Sequence, residues 1–482
     1  MATKTPGVYI VEKDAFAHSV VEVPTAVPAF IGVTERADHG GRPLLNRPWR
    51  ISSMADYTKA FGVAAPAVFK LEKAPVSHPM PRLPTEARGQ LADFAWNGRN
   101  YRVSRAPGRA GGRFLMHLAM QHFFLNGGAA CWVVSVGGYA AEIVAGDDST
   151  GLIGGLKPLV AEQEPTLVVV PDAVLLDEPA CVHVQQAVLS HCSGTMRNRI
   201  AILDVWGGDR RRDDAALGWD CIEHFRDQIG EQGLDFAAAY YPWLHTSLVQ
   251  RGTALPIVIE SNLIELEPPS SADVPGSLRA CAHEMARGLV NLMPPSAAMA
   301  GLYTMVDSTR GVWKAPANVS VAGVLAPAVV VSHGEQEDLN VTPTGKSINA
   351  IRSFIGEGTL VWGARTLDGN SLDWRYINVR RTMIMLEQSC QFAAKALVFE
   401  PNTASTWAML KSMLVNFLTG IWKRGGLAGA VPDDAFSVHL GAGETMTQQE
   451  VLDGLLRVTV LVAVTRPAEF IEITFEQRLQ PA

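Results

Sequence analysis

The stretch from Asp373 to Gln480 leaves this chain few ways to fold. Val379, Met383, Leu386, Cys390 and Leu397 recur at steps of four, three, four and seven. That spacing lays one apolar stripe along a helix. Pro401 stops it, because the residue before a proline avoids the helical region. Asn402 or Thr403 then caps a second helix, whose stripe is Trp407, Leu410, Leu414, Phe417 and Ile421. Gly425-Gly426 ends it, with Lys423 and Arg424 in the last turn, where positive charge suits the helix dipole. A helical hairpin of this kind says nothing about function by itself.

The ends of the chain say more. Val458, Val460, Val462 and Val464 alternate with Thr459, Leu461 and Ala463, which reads as a buried strand. Arg466-Pro467 breaks it. Ile471, Ile473 and Phe475 then alternate with Glu472, Thr474 and Glu476, an amphipathic strand behind a proline linker. The other end has the same design. Val8, Tyr9, Ile10 and Val11 form a short strand, Glu12–Val23 a polar linker, and Pro24 and Pro28 frame Ala29–Val33, an apolar strand expected at the centre of a sheet. An unpaired terminal strand is an aggregation hazard unless something completes it. The residues alone leave two partners open, the strand's own subunit or another chain.

Between the ends, strands alternate with helices. Strands are expected at Cys131–Val136, Thr166–Val170, Arg199–Val205 and Phe236–Tyr241. Helices are expected at Phe114–Leu125, Val182–Ser190, Trp219–Gln232, Gly276–Leu292 and Ile348–Ile355. This alternation predicts an α/β layered, mixed α+β architecture. Gly40–Arg109 is proline-rich and aperiodic, and reads as a loop-rich insertion with a few short strands.

Composition bounds the function. The chain has 482 residues, 48% of them hydrophobic and only 18% charged, enough for a sizeable core and for surface buried in an assembly. A net charge of −7 argues against general nucleic-acid binding. Six cysteines without a CxxC pair read as buried thiols. The polar start, Met1–Ile10, predicts no signal peptide, and no apolar run is long enough to span a bilayer.

No catalytic constellation emerges. Thr342–Ser347 imitates the end of a phosphate-binding loop, but Asn340 stands where the first glycine is required, so Gly345 reads as a turn. Cys181, His183, His191 and Cys192 match no common zinc spacing. Asp209–Asp214 is a mixed charge run, read as a solvated loop. Tyr240–Trp243 and Arg310–Lys314 read as packed aromatic loops. No metal, cofactor or catalytic residue is expected. The rival reading is an α/β enzyme with a degenerate nucleotide-binding loop near Gly345-Lys346-Ser347.

The run NVRR…FEPN…W…NFLTGIWKRGGLAGA…TM…RPAEFIEITF resembles the C-terminal domain of contractile tail sheath proteins, those of phage tails and phage-like extracellular contractile injection systems. PGVYIVE at Pro6–Glu12 and VPTAVPAFIGVTERA at Val23–Ala37 resemble the sheath N-terminus. Further motifs, among them FFLNGGAACWVVSV, RNRIAILDV and STRGVWKAPAN, extend the resemblance over nearly the whole chain, least well over Gly40–Arg109.

The resemblance implies a non-enzymatic structural subunit. It would polymerise as stacked hexameric rings around an inner tube protein and contract to drive that tube through a target envelope. Its partners would be other copies of itself, the tube, baseplate and tail terminator proteins, with no nucleic acid and no membrane insertion. It would assemble in a bacterial cytoplasm and then be part of a phage tail or a released injection particle. The implied organisation is 1–39 as arm, linker and first core strand, 40–109 as an outward-facing insertion, 110–340 as an α/β middle domain and 341–482 as the sheath core. Val8–Val11 with Ile471, Ile473 and Phe475 would be strands exchanged between subunits. Val23, Pro24, Arg466 and Pro467 would be hinge linkers. The resemblance also adds salt bridges between subunits as a second reading of the 209–214 run. Lys423 lies opposite the stripe of the second helix, so Lys411, Lys423 and Arg424 are the expected tube contact, with Arg380, Arg381 and Lys395 as the runner-up.

Overall fold

Every residue of the strand Pro28–Thr34 is buried, and the rest of its sheet is laid out from it. The computed structural model describes residues 20–73, 91–106, 113–214, 218–248, 257–259 and 276–470. The expected strands at Val8–Val11 and at Ile471, Ile473 and Phe475 lie outside the described residues. The chain divides into two compact units. One comprises Pro24–Arg381 and resumes at Arg466; the other comprises Thr382–Thr465 with the residues leading to Val23.

The larger unit contains a nine-stranded sheet. Its order is Val319–Ser320, Gly358–Val361, Asn349–Phe354, Ala237–Tyr241, Ile200–Asp204, Leu167–Val169, Pro28–Thr34, Cys131–Gly138 and Trp49–Ile51. The six strands from Asn349–Phe354 through Cys131–Gly138 are mutually parallel, and the outer ones are antiparallel. Parallel strands are covered on both faces and read as unbroken apolar runs, which is the character of PAFIGVT, LVV and IAILD.

The insertion is more ordered than its composition suggests. It supplies the edge strand Trp49–Ile51 and a helix, Met54–Phe61, capped by the Ser53 side chain. Phe69–Lys73, Leu91–Trp96, Arg99–Arg105 and Ile257–Ile259 form a separate four-stranded sheet.

Three expectations need correction. Ile348–Ile355 is not a helix but contains the strand Asn349–Phe354. Isoleucines at 348, 351 and 355 mimic a helical stripe, and parallel pairing with Tyr240 and Tyr241 overrides it. A helix unforeseen in the sequence, Ser296–Arg310, follows Pro294-Pro295. It is buried on all sides through Thr304 and so shows no amphipathic stripe. The strand expected to be buried, Thr459–Val462, pairs among the described residues only with Phe436–His439, and Leu461 is 57% exposed.

The Ser296–Arg310 helix starts on a buried carboxylate. The Ser296 amide donates to Asp204 Oδ1 at 2.8 Å. Burial pushes the Asp204 carboxyl up to about 7. A raised carboxyl pKa means that the folded state holds a proton that the unfolded state has lost between about pH 4 and pH 7. Stability from this site is therefore full below that window and falls as pH rises through it. Asp204→Asn keeps an acceptor and removes the titration. Its stability relative to wild type should rise by up to ~4 kcal/mol between pH 4 and pH 7.5, read by urea unfolding at several pH values.

Candidate functional site

Open α/β sheets bind ligands where the strand order reverses. Here the chain runs from Pro28–Thr34 outward to Cys131–Gly138 and then crosses back to Leu167–Val169, so the reversal lies between Pro28–Thr34 and Leu167–Val169. That place is filled by the protein itself. Asp172 Oδ2 accepts from the Val33 amide at 2.8 Å and Oδ1 from the Leu115 amide at 2.7 Å, at the start of the helix Met116–Leu125. A Cβ on Gly32 would lie 2.7 Å from the same carboxylate, so only glycine fits. Asp172 is fully buried, which raises its pKa to about 6. Its carboxylate takes the amide hydrogen bonds that a bound anion would otherwise take. The sequence signal, Pro171-Asp172 after a buried strand, was visible but unspecific.

The phosphate-loop imitation is also closed. Gly345 turns at φ +78°. Lys346 is buried, and its Nζ donates to Arg226 O and to Glu231 Oε1, both at 2.7 Å. Ser347 Oγ donates to Asn340 O at 2.6 Å. A strand rather than a helix follows, so no helix N-terminus faces a phosphate.

The remaining candidates take structural roles. His183 is exposed, whereas His191 is buried near Arg199, and desolvation lowers its pKa to about 4. Burial raises the Cys192 thiol to about 12. Among the described residues no cluster of three or more His, Cys, Asp or Glu has metal-binding geometry. In the charge run, Arg211 and Asp213 pair in solvent, but Arg212 binds Asp220 and Asp338, each at 2.7 Å, as well as Glu223. The fully buried Arg226 shares Glu223 and Asp338 with it. The run is thus partly an anchor, a role hidden because its partners lie at other places in the sequence. Trp243 is fully buried and donates to Val205 O.

The smaller unit is the expected helical hairpin. Its helices are Ile377–Lys395, which begins in the larger unit, and Ala404–Lys423, whose N-cap is Thr403. Leu410, Leu414 and Ile421 are buried; Trp407 and Phe417 are half-buried. Lys423 is exposed and Lys411 half-exposed. Arg424, half-exposed, is paired with Glu22. Two of the three runner-up cations are buried. Arg380 lies over Phe236 and Trp374, and Arg381 forms a buried pair with Asp307 at 2.6 Å; of the three only Lys395 is exposed. The ribbon of Phe436–His439 and Thr459–Val462 has no further strand among the described residues.

The expected hinges coincide with the unit boundary, which runs between Val23 and Pro24 and between Thr465 and Arg466. They are short and held on both sides. The Val23 amide donates to Ser389 Oγ, and Arg381 donates to Thr25 O. Thr465 Oγ1 donates to Gly425 O. Glu469, inside the stretch read as linker, is gripped by Arg365, Asn340 and Tyr376.

Residues 370–478 match the family described as phage tail sheath C-terminal domain. The tail sheath protein of Vibrio phage KVP40 is 29% identical over 138 residues, 28% of this chain and 20% of that protein. The tail sheath protein of Burkholderia phage BcepMu is 29% identical over 124 residues, 25% of this chain and 26% of that one. The chain thus matches only a minor part of the length of these curated relatives. Likeness to solved structures is end to end. The contracted sheath complex of PVC, an extracellular contractile injection system, superposes with a TM-score of 0.61 at 27% identity, over 100% of this chain and 99% of that one. The contracted helical sheath of the anti-feeding prophage gives 0.63 at 29%, over 99% and 100%. The six-fold symmetrised baseplate of that prophage gives 0.62 at 28%, over 99% and 100%.

Removing the Lys346 ammonium should leave a folded protein, because the strand pairing does not depend on it, but not an unchanged one. Lys346→Ala unpairs Glu231 and the Arg226 carbonyl and should cost roughly 1–3 kcal/mol in urea unfolding. A variant of wild-type stability would show that these bonds contribute nothing.

Proposed function

Because the chain carries a phage tail sheath C-terminal domain and shares the fold of contractile sheath subunits along its length, we propose that it is the structural subunit of a contractile sheath. Copies stack as hexameric rings around an inner tube and contract to drive that tube through a target envelope. The six-fold symmetry of the matching baseplate supports both the ring and a baseplate partner. The sheath assembles in a bacterial cytoplasm and ends as part of a phage tail or a released particle, with tube and terminator proteins as its other partners.

The observation that carries this reading is the ribbon of Phe436–His439 and Thr459–Val462, which no further strand joins among the described residues, on a domain of sheath type. Strands from neighbouring copies, Val8–Val11 and the segment with Ile471, Ile473 and Phe475, complete such a ribbon by strand addition. Each backbone bond contributes about 1 kcal/mol and each buried apolar side chain about 1.5–3 kcal/mol. Ordering costs about 1–2 kcal/mol per residue. A single link is marginal, and a mesh of many links is strong. Val23, Pro24, Arg466 and Pro467 act as hinges between arms and body. No nucleotide is consumed, since the extended assembly stores the energy. Nothing in the Thr342–Ser347 loop favours the enzyme reading.

Two experiments test the proposal. Deleting residues 471–482 should leave a folded core that forms no long tubes by electron microscopy; normal tubes would overturn strand exchange. Reversing Lys411 and Lys423 to Glu should spare the fold and weaken co-assembly with the tube about tenfold or more, the effect shrinking at high salt. Unchanged co-assembly would move the tube contact off this helix and away from Arg424.

A further inference from the structure

We infer that Glu469 is a positioning residue that fixes where, and in which direction, the C-terminal strand leaves its own subunit. The inference rests on the sheath reading and goes beyond it. Four donors converge on this one carboxylate. Arg365 Nε lies 2.9 Å from Oε1 and Nη2 lies 2.6 Å from Oε2, a two-pronged pair. Asn340 Nδ2 donates to Oε1 at 2.8 Å and the Tyr376 hydroxyl to Oε2 at 3.1 Å. The Arg365 side chain is 4% exposed and that of Glu469 18%. Burial alone would raise the carboxyl pKa, yet the bonds from Arg365, Asn340 and Tyr376 hold it below its usual value.

Such a site is unlike a linker. Three residues earlier, Arg466 pairs with Asp373 at 3.6 Å with both side chains half or more exposed, the kind of pair that contributes little. Glu469 has desolvated, two-pronged geometry, which gives direction as well as energy. Only Phe470 separates it from Ile471, where the apolar alternation begins. One residue spans at most about 3.6 Å, so an arm latched at Glu469 offers its strand to a neighbour from a nearly fixed origin. Unlatching frees residues 466–470 together, enlarges the volume the strand searches and lowers its effective concentration at the neighbour's ribbon.

The test uses the full chain. In the unassembled subunit, Glu469→Gln should speed hydrogen exchange at the amides of 468–470 about tenfold or more while leaving the Ala404–Lys423 helix unchanged. Equal exchange in the two proteins would overturn the latch. In assembly, Glu469→Gln and a Gly-Ser-Gly-Ser insertion between Phe470 and Ile471 should each raise the concentration needed for tube formation about tenfold. The two combined should be no worse than either alone, because both remove the same constraint. The insertion leaves the latch and the fold intact, so if it assembles like wild type, Glu469 does not position the strand. If wild type itself forms no tubes, the sheath reading falls and the positioning role with it, while the exchange comparison still reads the latch.

Discussion

A strand with no face left for solvent governs the larger unit. Pro28–Thr34 has parallel neighbours on both edges and is buried at every residue, so any polar group along it must be paired, as the Thr34 hydroxyl is with Ser135 and Arg36 O. Its far end depends on Asp172, which takes the Val33 amide and the Leu115 amide, at the start of the helix Met116–Leu125, with one carboxylate. That helix in turn packs on the strand, with Phe123 edge-on to Phe30 at 5.1 Å. The site where such a sheet would bind a ligand is therefore consumed in closing the sheet.

Elements whose burial is regular could be read from the chain. The central strand, the strands Cys131–Gly138 and Ile200–Asp204, and both helices of the hairpin follow from apolar runs and stripes, with Pro401 and the glycines as punctuation. What failed did so for physical reasons. The isoleucines at 348, 351 and 355, in and beside Asn349–Phe354, fall at helical spacing, and pairing with Ala237–Tyr241 and Gly358–Val361 decides the conformation instead. Ser296–Arg310 is apolar nearly all round, so periodicity has nothing to report. Thr459–Val462 alternates like a buried strand, yet Leu461 faces solvent in the single chain.

The polar sites were less legible, because charge partners are set by the fold and not by spacing. Arg212 stands in a run that reads as solvated, yet it meets Asp338 from 126 residues away. Arg381 looked available on a helix surface and is instead sealed against Asp307. Breaking such a buried pair on one side costs about 3–5 kcal/mol, which suits it to fixing a chain segment and unsuits it to reversible contact. Lys423 is exposed opposite the apolar stripe, a face that helical geometry alone decides.

Near each unit boundary a strong buried contact and a weak exposed one lie close together along the chain. Arg381, itself locked by Asp307, donates to the Thr25 carbonyl, and this buried grip lies just inside the Val23–Pro24 boundary. The pair outside it, Glu22 with Arg424, is exposed, where water and salt leave it weak. At the other end both contacts belong to the larger unit, the solvent-exposed pair of Arg466 next to the boundary and the strong anchor at Glu469 three residues further on. Anchors of this kind fix where the chain passes close to each unit boundary. A desolvated, two-pronged ion pair such as Arg365–Glu469 fixes a chain segment where a longer flexible linker would not.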